Sequence, residues 1–325
     1  MKKIIILIMS VVSLYAQEYD YSYFTKGLDS SFAGNLTAPN GEAITYVSSI
    51  NAVQFGGNKS SSGNVSVAYN SSKIKAWASG YTNYTVGTIE NQVDDNWKIP
   101  ENIVGAITEV EPTEKVCTLG NGGSITIYFE SGISNGDGID FAVFENGFDE
   151  NYLELGFVEV SSDGKNFVRF PNFYLGNEKV YEWLYMGNCD VMPENIYNLA
   201  SKYECGYGHG FDLQELVDAY EYINGENCAF SQECVSDFLL SYVHLDLDNV
   251  RYVKITDIYG DGSVTDSVGH PIFDPTGNQR SSPGVDLQGV AVLNVAINVP
   301  EPAEYVVILG VCALLFIFVR RIQYK

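Results

Sequence analysis

Short runs of alternating apolar and polar residues recur along most of the chain, and they predict β-strands. The alternation is clearest at residues 125–129, 155–160 and 250–255, and its period of two is that of a strand with one buried face. Further strands are predicted at residues 141–144, 167–170 and 285–297. Gly, Asp and Asn separate these runs, as in turns. Many short strands with little helix predict an all-β fold, an antiparallel β-sandwich of the jelly-roll type.

Two local patterns refine this fold. Asp163-Gly164 stands between two of the predicted strands, which indicates a β-hairpin. Leu213 to Tyr222 is predicted to be a helix with Asp212 as its N-cap. This helix lies within residues 176–249, which we expect to form a small helical excursion that contains cysteines. Residues 17–76 hold short alternating runs that we assign to the same domain.

The start of the chain is typical of a signal peptide. Met1-Lys2-Lys3 supplies a positive region, residues 4–12 are apolar, and Ala16 offers a small residue for cleavage. Residues 1–16 are therefore predicted to direct export, and the rest of the chain is expected outside the cytoplasm.

The end of the chain is typical of a membrane segment. An uncharged apolar run at residues 305–319 is followed by Arg320 and Arg321. It predicts a transmembrane helix at about residues 303–319, and the positive-inside rule places the basic end, residues 320–325, in the cytoplasm. A plain anchor is one alternative. A buried core helix is another, but it would not explain two arginines at the chain end.

Pro300, Glu301 and Pro302 stand immediately before this helix. The motif, the apolar helix and the arginines, in that order, resemble the PEP-CTERM sorting signal of bacterial surface proteins. The resemblance implies recognition by an exosortase after secretion and release from the helix near the motif. The predicted organisation is a signal peptide at 1–16, an extracellular β-sandwich at 17–298 and a sorting signal at 299–325.

The charge of the chain excludes one class of partner. Its 325 residues include 41 acidic and 18 basic side chains, a formal net charge of −23. Such a surface repels nucleic acids, so binding to DNA or RNA is not expected. The 23 tyrosines and 17 phenylalanines supply enough apolar area for a folded core, which argues against disorder.

The body of the chain also resembles a family. Five segments resemble an uncharacterised family of bacterial cell-surface proteins, namely residues 119–127, 135–146, 157–164, 207–213 and 285–290. This resemblance implies a surface location and a β-sandwich, with no activity attached. The segment around residues 161–164 is similar to discoidin-type, galactose-binding-like jelly rolls, which is a likeness of fold alone.

Aspartates in predicted loops are candidate metal ligands. Asp137 and Asp140 flank a glycine turn, Asp257 and Asp261 lie in a Gly-rich stretch, and Asp286 opens the last strand. Hard oxygen ligands on loops suit Ca²⁺, so a structural calcium ion is predicted here. The alternative is that Asp-Gly pairs serve only as turns.

Four cysteines fall in the predicted excursion, namely Cys189, Cys205, Cys228 and Cys234. In an exported protein they are disulfide candidates, and proximity along the chain favours pairing Cys189 with Cys205 and Cys228 with Cys234. Cys117 is expected to be a buried thiol. Zinc is the rival interpretation, but the spacing from Cys228 to Cys234 matches no familiar zinc site.

No catalytic motif stands out in the sequence. The three histidines, His209, His244 and His270, form no recognisable arrangement with a nucleophile. Glu145 and Glu159 could form a glycosidase pair, although chance pairs are expected among so many acids. The sequence therefore predicts a non-catalytic surface or matrix protein that binds glycan or protein. The alternative is a secreted hydrolase acting on extracellular polysaccharide.

Overall fold

The computed structural model describes residues 66–296 and two short strands before them, at residues 35–37 and 43–45. The gaps within the main range are residues 90–91, 111–114, 148–151, 175, 177–178, 181–190, 192, 194–195, 226–227 and 276–280. The signal peptide, the Pro-Glu-Pro motif and Arg320 and Arg321 lie outside the described residues, as do Cys189 and the apolar run. In the part of the chain that is described, no helix is long and apolar enough to cross a membrane.

The described chain is mostly β-strand. Its strands are β1 Asn35–Thr37, β2 Ala43–Thr45, β3 Ser66–Ala68, β4 Ala76–Trp77, β5 Gly80–Thr85, β6 Cys117–Thr118, β7 Ser124–Ile133, β8 Phe141–Glu145, β9 Gly156–Ser161, β10 Val168–Arg169, β11 Phe173–Tyr174, β12 Ile196–Tyr197, β13 Leu199–Ala200, β14 Tyr207–Phe211, β15 Val250–Asp257, β16 Asp261–Thr265, β17 Pro271–Phe273 and β18 Asp286–Val292. The helices are α1 Gln214–Ile223 and α2 Gln232–Tyr242, with 3-10 turns at Asp95–Trp97 and Pro100–Ile103.

Two antiparallel sheets dominate the fold. Sheet A has the strand order β10-β9-β15-β7-β5, and β13 also pairs with β9. Sheet B has the order β3-β14-β8-β18-β4, and β6 also pairs with β18. Three two-stranded pairs complete the described sheets, β1 with β2, β11 with β12 and β16 with β17. The predicted all-β, antiparallel architecture is confirmed, as are the predicted strands at β7, β8, β9, β10, β15 and β18.

The main core lies between the two sheets. The inward residues of sheet A alternate along the strands, as Ile125 and Ile127 do on β7, and both are fully buried. On sheet B the Phe141 ring stacks on Phe211 with 5.2 Å between ring centroids. Phe141 also meets the edge of Phe170, which follows β10, at 5.8 Å. Aromatic burial from both sheets therefore joins them, and each such side chain contributes roughly 1.5–3 kcal/mol.

The hairpin between β9 and β10 is confirmed, and Asp163 organises its turn. The Oδ1 atom of Asp163 accepts hydrogen bonds from the backbone N–H groups of Lys165 and Asn166 at 2.8 and 2.9 Å. These bonds favour the charged carboxylate and hold the pKa of Asp163 well below its usual value. Gly164 follows with φ +71°, a conformation that glycine adopts without a steric penalty.

One helix was predicted and the other was not. α1 begins one residue later than predicted, and its N-cap is Leu213 rather than the predicted Asp212. Oδ1 of Asp212 still accepts a hydrogen bond from the backbone N–H of Gln214 at 2.9 Å. α2 was missed because its Cys, Val and Ser residues have low helix propensity. Its start is nevertheless encoded locally, since Ser231 caps it by accepting from the N–H of Cys234 at 3.2 Å.

Candidate functional site

A groove of about 420 Å³ lies where β9 and β10 of sheet A meet α2 and β16. Phe157 and Glu159 contribute from β9 and Arg169 from β10, while Phe167 flanks that strand. α2 contributes Ser231 and several residues after it, and β16 contributes hydroxyl side chains on the facing wall. Rings, a guanidinium and hydroxyl groups are thus gathered in one concave surface, as in small-molecule sites.

A row of alternating charges crosses sheet A at this groove. Arg169 is opposite Glu159 in the register of β10 and β9, and Glu159 is opposite Lys254 in that of β9 and β15. The NH2 group of Arg169 lies 3.2 Å from Oε1 of Glu159, and Nζ of Lys254 lies 2.8 Å from Oε2. Glu159 therefore holds two cations in place across three strands.

Arg169 is the best-placed group to meet a ligand. Its guanidinium lies 4.0 Å from the centroid of the Phe157 ring, and its side chain keeps 45% of its surface exposed. Stacking on the ring and pairing with Glu159 fix the plane of the guanidinium. It therefore presents its remaining N–H donors to the groove without a further loss of side-chain freedom.

The inner wall of the groove carries an unsatisfied acceptor. Asn172 is buried, and its Nδ2 donates to the carbonyl of Phe170 at 2.9 Å while its Oδ1 has no partner. Asp266 beside it is fully committed, since Oδ1 accepts from the N–H groups of Val268 and His270 and Oδ2 from that of Tyr174. Oδ1 of Asn172 is itself buried, so the polar groups that the groove offers to a ligand are Arg169 and the hydroxyls of β16.

α2 closes the other side of the groove. Cys234 lies on its inner face, and burial raises the pKa of this thiol to about 11. A protonated thiol is a poor nucleophile, so Cys234 contributes packing rather than chemistry. Leu240 lines the rim with 73% of its surface exposed.

The predicted calcium ligands do not form one site. Asp137 is exposed, and Asp261 is exposed and accepts from the N–H of Ser263 in its own turn. Asp140 is buried, but its oxygens accept from the N–H groups of Gly136 and Leu213 and from Nδ2 of Asn294. Asp140 therefore ties two loops together, and burial raises its pKa to about 6.

Asp257 and Asp286, by contrast, are brought together. Both are buried, and burial followed by the nearby charge of Asp286 raises the pKa of Asp257. Three further carboxyls that the sequence analysis did not assign to a metal share this place, namely Glu145, Glu154 and Asp274. No pattern along the chain signals this set, because its members come from β8, β15, β18 and two loops.

The disulfide predictions are not supported within the described residues. Cys228 and Cys234 are free thiols, and no bond joins them although Cys228 is near enough to raise the pKa of Cys234. Sγ of Cys205 lies 2.7 Å from the carbonyl oxygen of Val110. Its predicted partner Cys189 lies outside the described residues, so that pairing stays a prediction. Cys117 is a buried thiol, as predicted, and burial raises its pKa to about 12.

The histidines and the suggested glutamate pair occupy unrelated places. His209 is buried in sheet B with Nδ1 2.6 Å from the carbonyl oxygen of Leu199, and burial lowers its pKa to about 3. His244 is exposed and His270 half-buried. Glu145 lies on sheet B and Glu159 on sheet A, where each has its own partners. The structure therefore does not bring these two glutamates together as a pair.

Comparison with known proteins adds no assignment to this geometry. No model of a known protein family matches the chain, and a search of curated proteins found no match.

Proposed function

We propose that this chain is an exported surface protein whose β-sandwich binds a glycan, without cleaving it, in the groove between sheet A and α2. The observation that carries the proposal is the fixed guanidinium of Arg169, which lines the groove beside aromatic rings and the hydroxyl groups of β16. Sugar rings offer apolar faces to aromatic side chains and hydroxyls to planar donors and acceptors. The groove provides both.

The ends of the chain supply the cellular part of the proposal. The predicted signal peptide exports the body, and Pro300-Glu301-Pro302 presents it to an exosortase, as its resemblance to the PEP-CTERM signal implies. The protein is then held at the membrane by the C-terminal helix until it is released to the cell surface or the extracellular matrix. The finer jelly-roll, discoidin-like assignment belongs to the same proposal and agrees with glycan binding.

Binding is favoured over hydrolysis by the state of the buried acids in the groove. Glu159 is paired with Arg169 and Lys254, and both oxygens of Asp266 accept backbone hydrogen bonds. A glycosidase needs one carboxylic acid that can release a proton and a second carboxylate across the scissile bond. Neither Glu159 nor Asp266 is available for these roles. The other two carboxylates that line the groove, Glu233 and Asp237, are one turn apart on α2 and therefore lie on one side of it, so the hydrolase is the weaker candidate.

Replacing Arg169 with lysine is expected to weaken glycan binding at least about tenfold, because lysine keeps the charge but loses the planar pair of donors. The matched control is Arg251→Lys. Arg251 lies on β15 of the same sheet, where it contacts the ring and hydroxyl of Tyr128 outside the groove. Isothermal titration calorimetry, with a glycan first identified on an array, measures the affinity of each variant for that glycan. Equal affinities for the two variants would place the binding surface elsewhere.

A further inference from the structure

Four buried carboxyl groups and a half-buried fifth, that of Glu154, come together outside the groove and have no function in it. We call this set the acid cluster, and its members are Glu145, Glu154, Asp257, Asp274 and Asp286. Burial is the main cause that raises the pKa of every member, and repulsion by another member adds to it for four of them. The other groups that act on these pKa values are backbone amides, Thr118 and Ser282, with no described lysine or arginine among them.

The chain just before β18 holds the acid cluster together. The N–H of Gly284 donates to Oε1 of Glu154 at 2.9 Å, and the N–H of Val285 donates to Oδ1 of Asp257 at 2.8 Å. Asp286 follows Val285 and supplies a carboxyl of its own. Residues 284–286 therefore bring three carboxyls together, those of Glu154, Asp257 and Asp286.

Further hydrogen bonds fix the remaining sides of the cluster. The N–H of Leu155, next to Glu154, donates to Oδ2 of Asp274 at 2.8 Å. Oδ1 of Asp286 accepts from the hydroxyl of Thr118, and Oδ2 of Asp257 accepts from the N–H of Gly122 at 2.8 Å. Such outer contacts orient carboxylates in the way that metal sites require.

Three glycines allow the backbone to approach these oxygens. A Cβ at Gly260 would lie 2.0 Å from Oδ1 of Asp274, and one at Gly284 would lie 2.3 Å from Oδ1 of Asp257. At Gly147 a Cβ would lie 3.0 Å from Oε2 of Glu145. At Gly260 and Gly284 only glycine leaves room for the carboxylates as they stand, and at Gly147 a side chain would press on Glu145.

Two buried oxygens at the cluster have no hydrogen-bond partner. Oε2 of Glu145 is unpaired although the residue is only 4% exposed, and after burial the charge of Asp286 also raises the pKa of this side chain. Gln288, two residues after Asp286, is 3% exposed, and its Oε1 is also unpaired. Its Nε2 donates to Asn146, which follows Glu145, so the amide lies beside the same corner. Buried acceptors without donors in a native fold call for an ion or a water.

We infer that the acid cluster binds a divalent cation, and that the cation is Ca²⁺. Five carboxylates and the amide oxygen of Gln288 offer hard oxygen ligands alone, and Ca²⁺ takes six to eight of them in irregular geometry. Mg²⁺ keeps several of its own waters and demands an octahedron, so it fits this crowded set less well. An ion would also satisfy Oε2 of Glu145 and Oε1 of Gln288 together.

Binding requires the side chains to turn toward the ion. Among the described residues, no three His, Cys, Asp or Glu side chains are already arranged at ligand distances. Like charges move apart when no cation lies between them, and side chains such as Glu145 and Glu154 have the rotamers to close again. The backbone contacts of Asp257 and Asp274 do not depend on these two glutamates.

The test compares two buried carboxyls in the native, chelator-treated protein. Glu145→Gln removes one charge at an oxygen that makes no hydrogen bond, whereas Asp140→Asn changes a buried carboxyl that binds backbone amides elsewhere. Calorimetric titration with CaCl₂ is expected to show binding by the unmodified protein. Glu145→Gln should weaken it at least tenfold, and Asp140→Asn should change it less than twofold. Asp286→Asn is a second variant, and it is expected to weaken calcium binding as Glu145→Gln does.

Terbium luminescence gives an independent readout, because Tyr84 lies close to Asp286 and can sensitise a bound lanthanide. Unchanged calcium affinity in Glu145→Gln and Asp286→Asn would overturn the site, as would the absence of both calcium heat and terbium luminescence at millimolar concentrations.

Discussion

Calcium is expected to raise the thermal midpoint of the protein by roughly 5–10 °C at pH 8 and by little at pH 5. Ca²⁺ at about a hundred times its dissociation constant stabilises the folded state by about 2.7 kcal/mol through mass action. A domain of this size gains roughly 2–4 °C for each kcal/mol. Differential scanning calorimetry with calcium and with chelator, repeated from pH 5 to pH 8, measures the difference.

The sign of this pH dependence follows from the acid cluster. The pKa values of Asp257 and Asp286 are raised to about 7 from the usual 3.8, mainly by burial. In the calcium-free protein their stabilising effect is complete below about pH 4 and is lost as the pH rises through 7. Calcium binds the ionised carboxylates, so it competes with protons at pH 5 and replaces them at pH 8. The gain from calcium must therefore grow with pH.

Other buried groups also make the stability of the fold depend on pH. Their contribution is the same with calcium and with chelator, so it cancels when the two thermal midpoints are subtracted. Asp140 and Asp266 have raised pKa values of about 6 and 7, while His209 and Lys202 have lowered ones of about 3 and 7. Asp266 accepts hydrogen bonds from backbone amides, and His209 and Lys202 donate to backbone carbonyls in the core. None of the four groups belongs to the acid cluster. A calcium effect of equal size at pH 5 and pH 8 would contradict binding at these carboxylates.

Replacing Glu301 with glutamine is expected to block removal of the C-terminal segment almost completely. Pro300 and Pro302 resist helix formation, so the motif is expected to be extended at the outer membrane face, where an exosortase can reach it. The variant should remain in the membrane fraction at full length, and deletion of the exosortase should have the same effect on the unmodified chain. Replacing Arg320 and Arg321 should instead disturb orientation or retention.

Glu304→Gln is the matched control for this experiment, because it changes an acid two residues beyond the motif. The control is expected to be processed as the unmodified protein is. Intact mass of the protein from the cell surface measures the outcome. Mature protein that still ends at Lys325 in cells with an active exosortase would make the segment a plain anchor.

Much of the fold could be predicted from the sequence because its signals are local. Alternation at residues 125–129 and 250–255 reflects strands with one buried face, and both lie within strands of sheet A. Asp163-Gly164 specifies its hairpin turn within a few residues. α2 was missed because burial of Phe238 against the core, rather than helix propensity, stabilises it.

The candidate sites could be predicted only in part because their residues meet through long-range pairing. Asp257 and Asp286 stood out as possible ligands, yet Glu145 and Asp274 join them only after β8, β15 and β18 take their places in different sheets. Asp140 looked equivalent in sequence, but three hydrogen-bond donors surround it in the fold. The groove likewise depends on α2 lying over β10, which no local pattern encodes.

In the most direct measurement, the native protein is incubated with extracellular polysaccharides in the presence of calcium. The amount of polysaccharide bound and the length of the recovered glycan are then determined. A non-catalytic binding protein is expected to retain at least one polysaccharide and to return it at its original length, with retention reduced in Arg169→Lys. Shortened polysaccharide would identify a hydrolase. Failure to retain any glycan would contradict the assignment of the groove as a glycan-binding site.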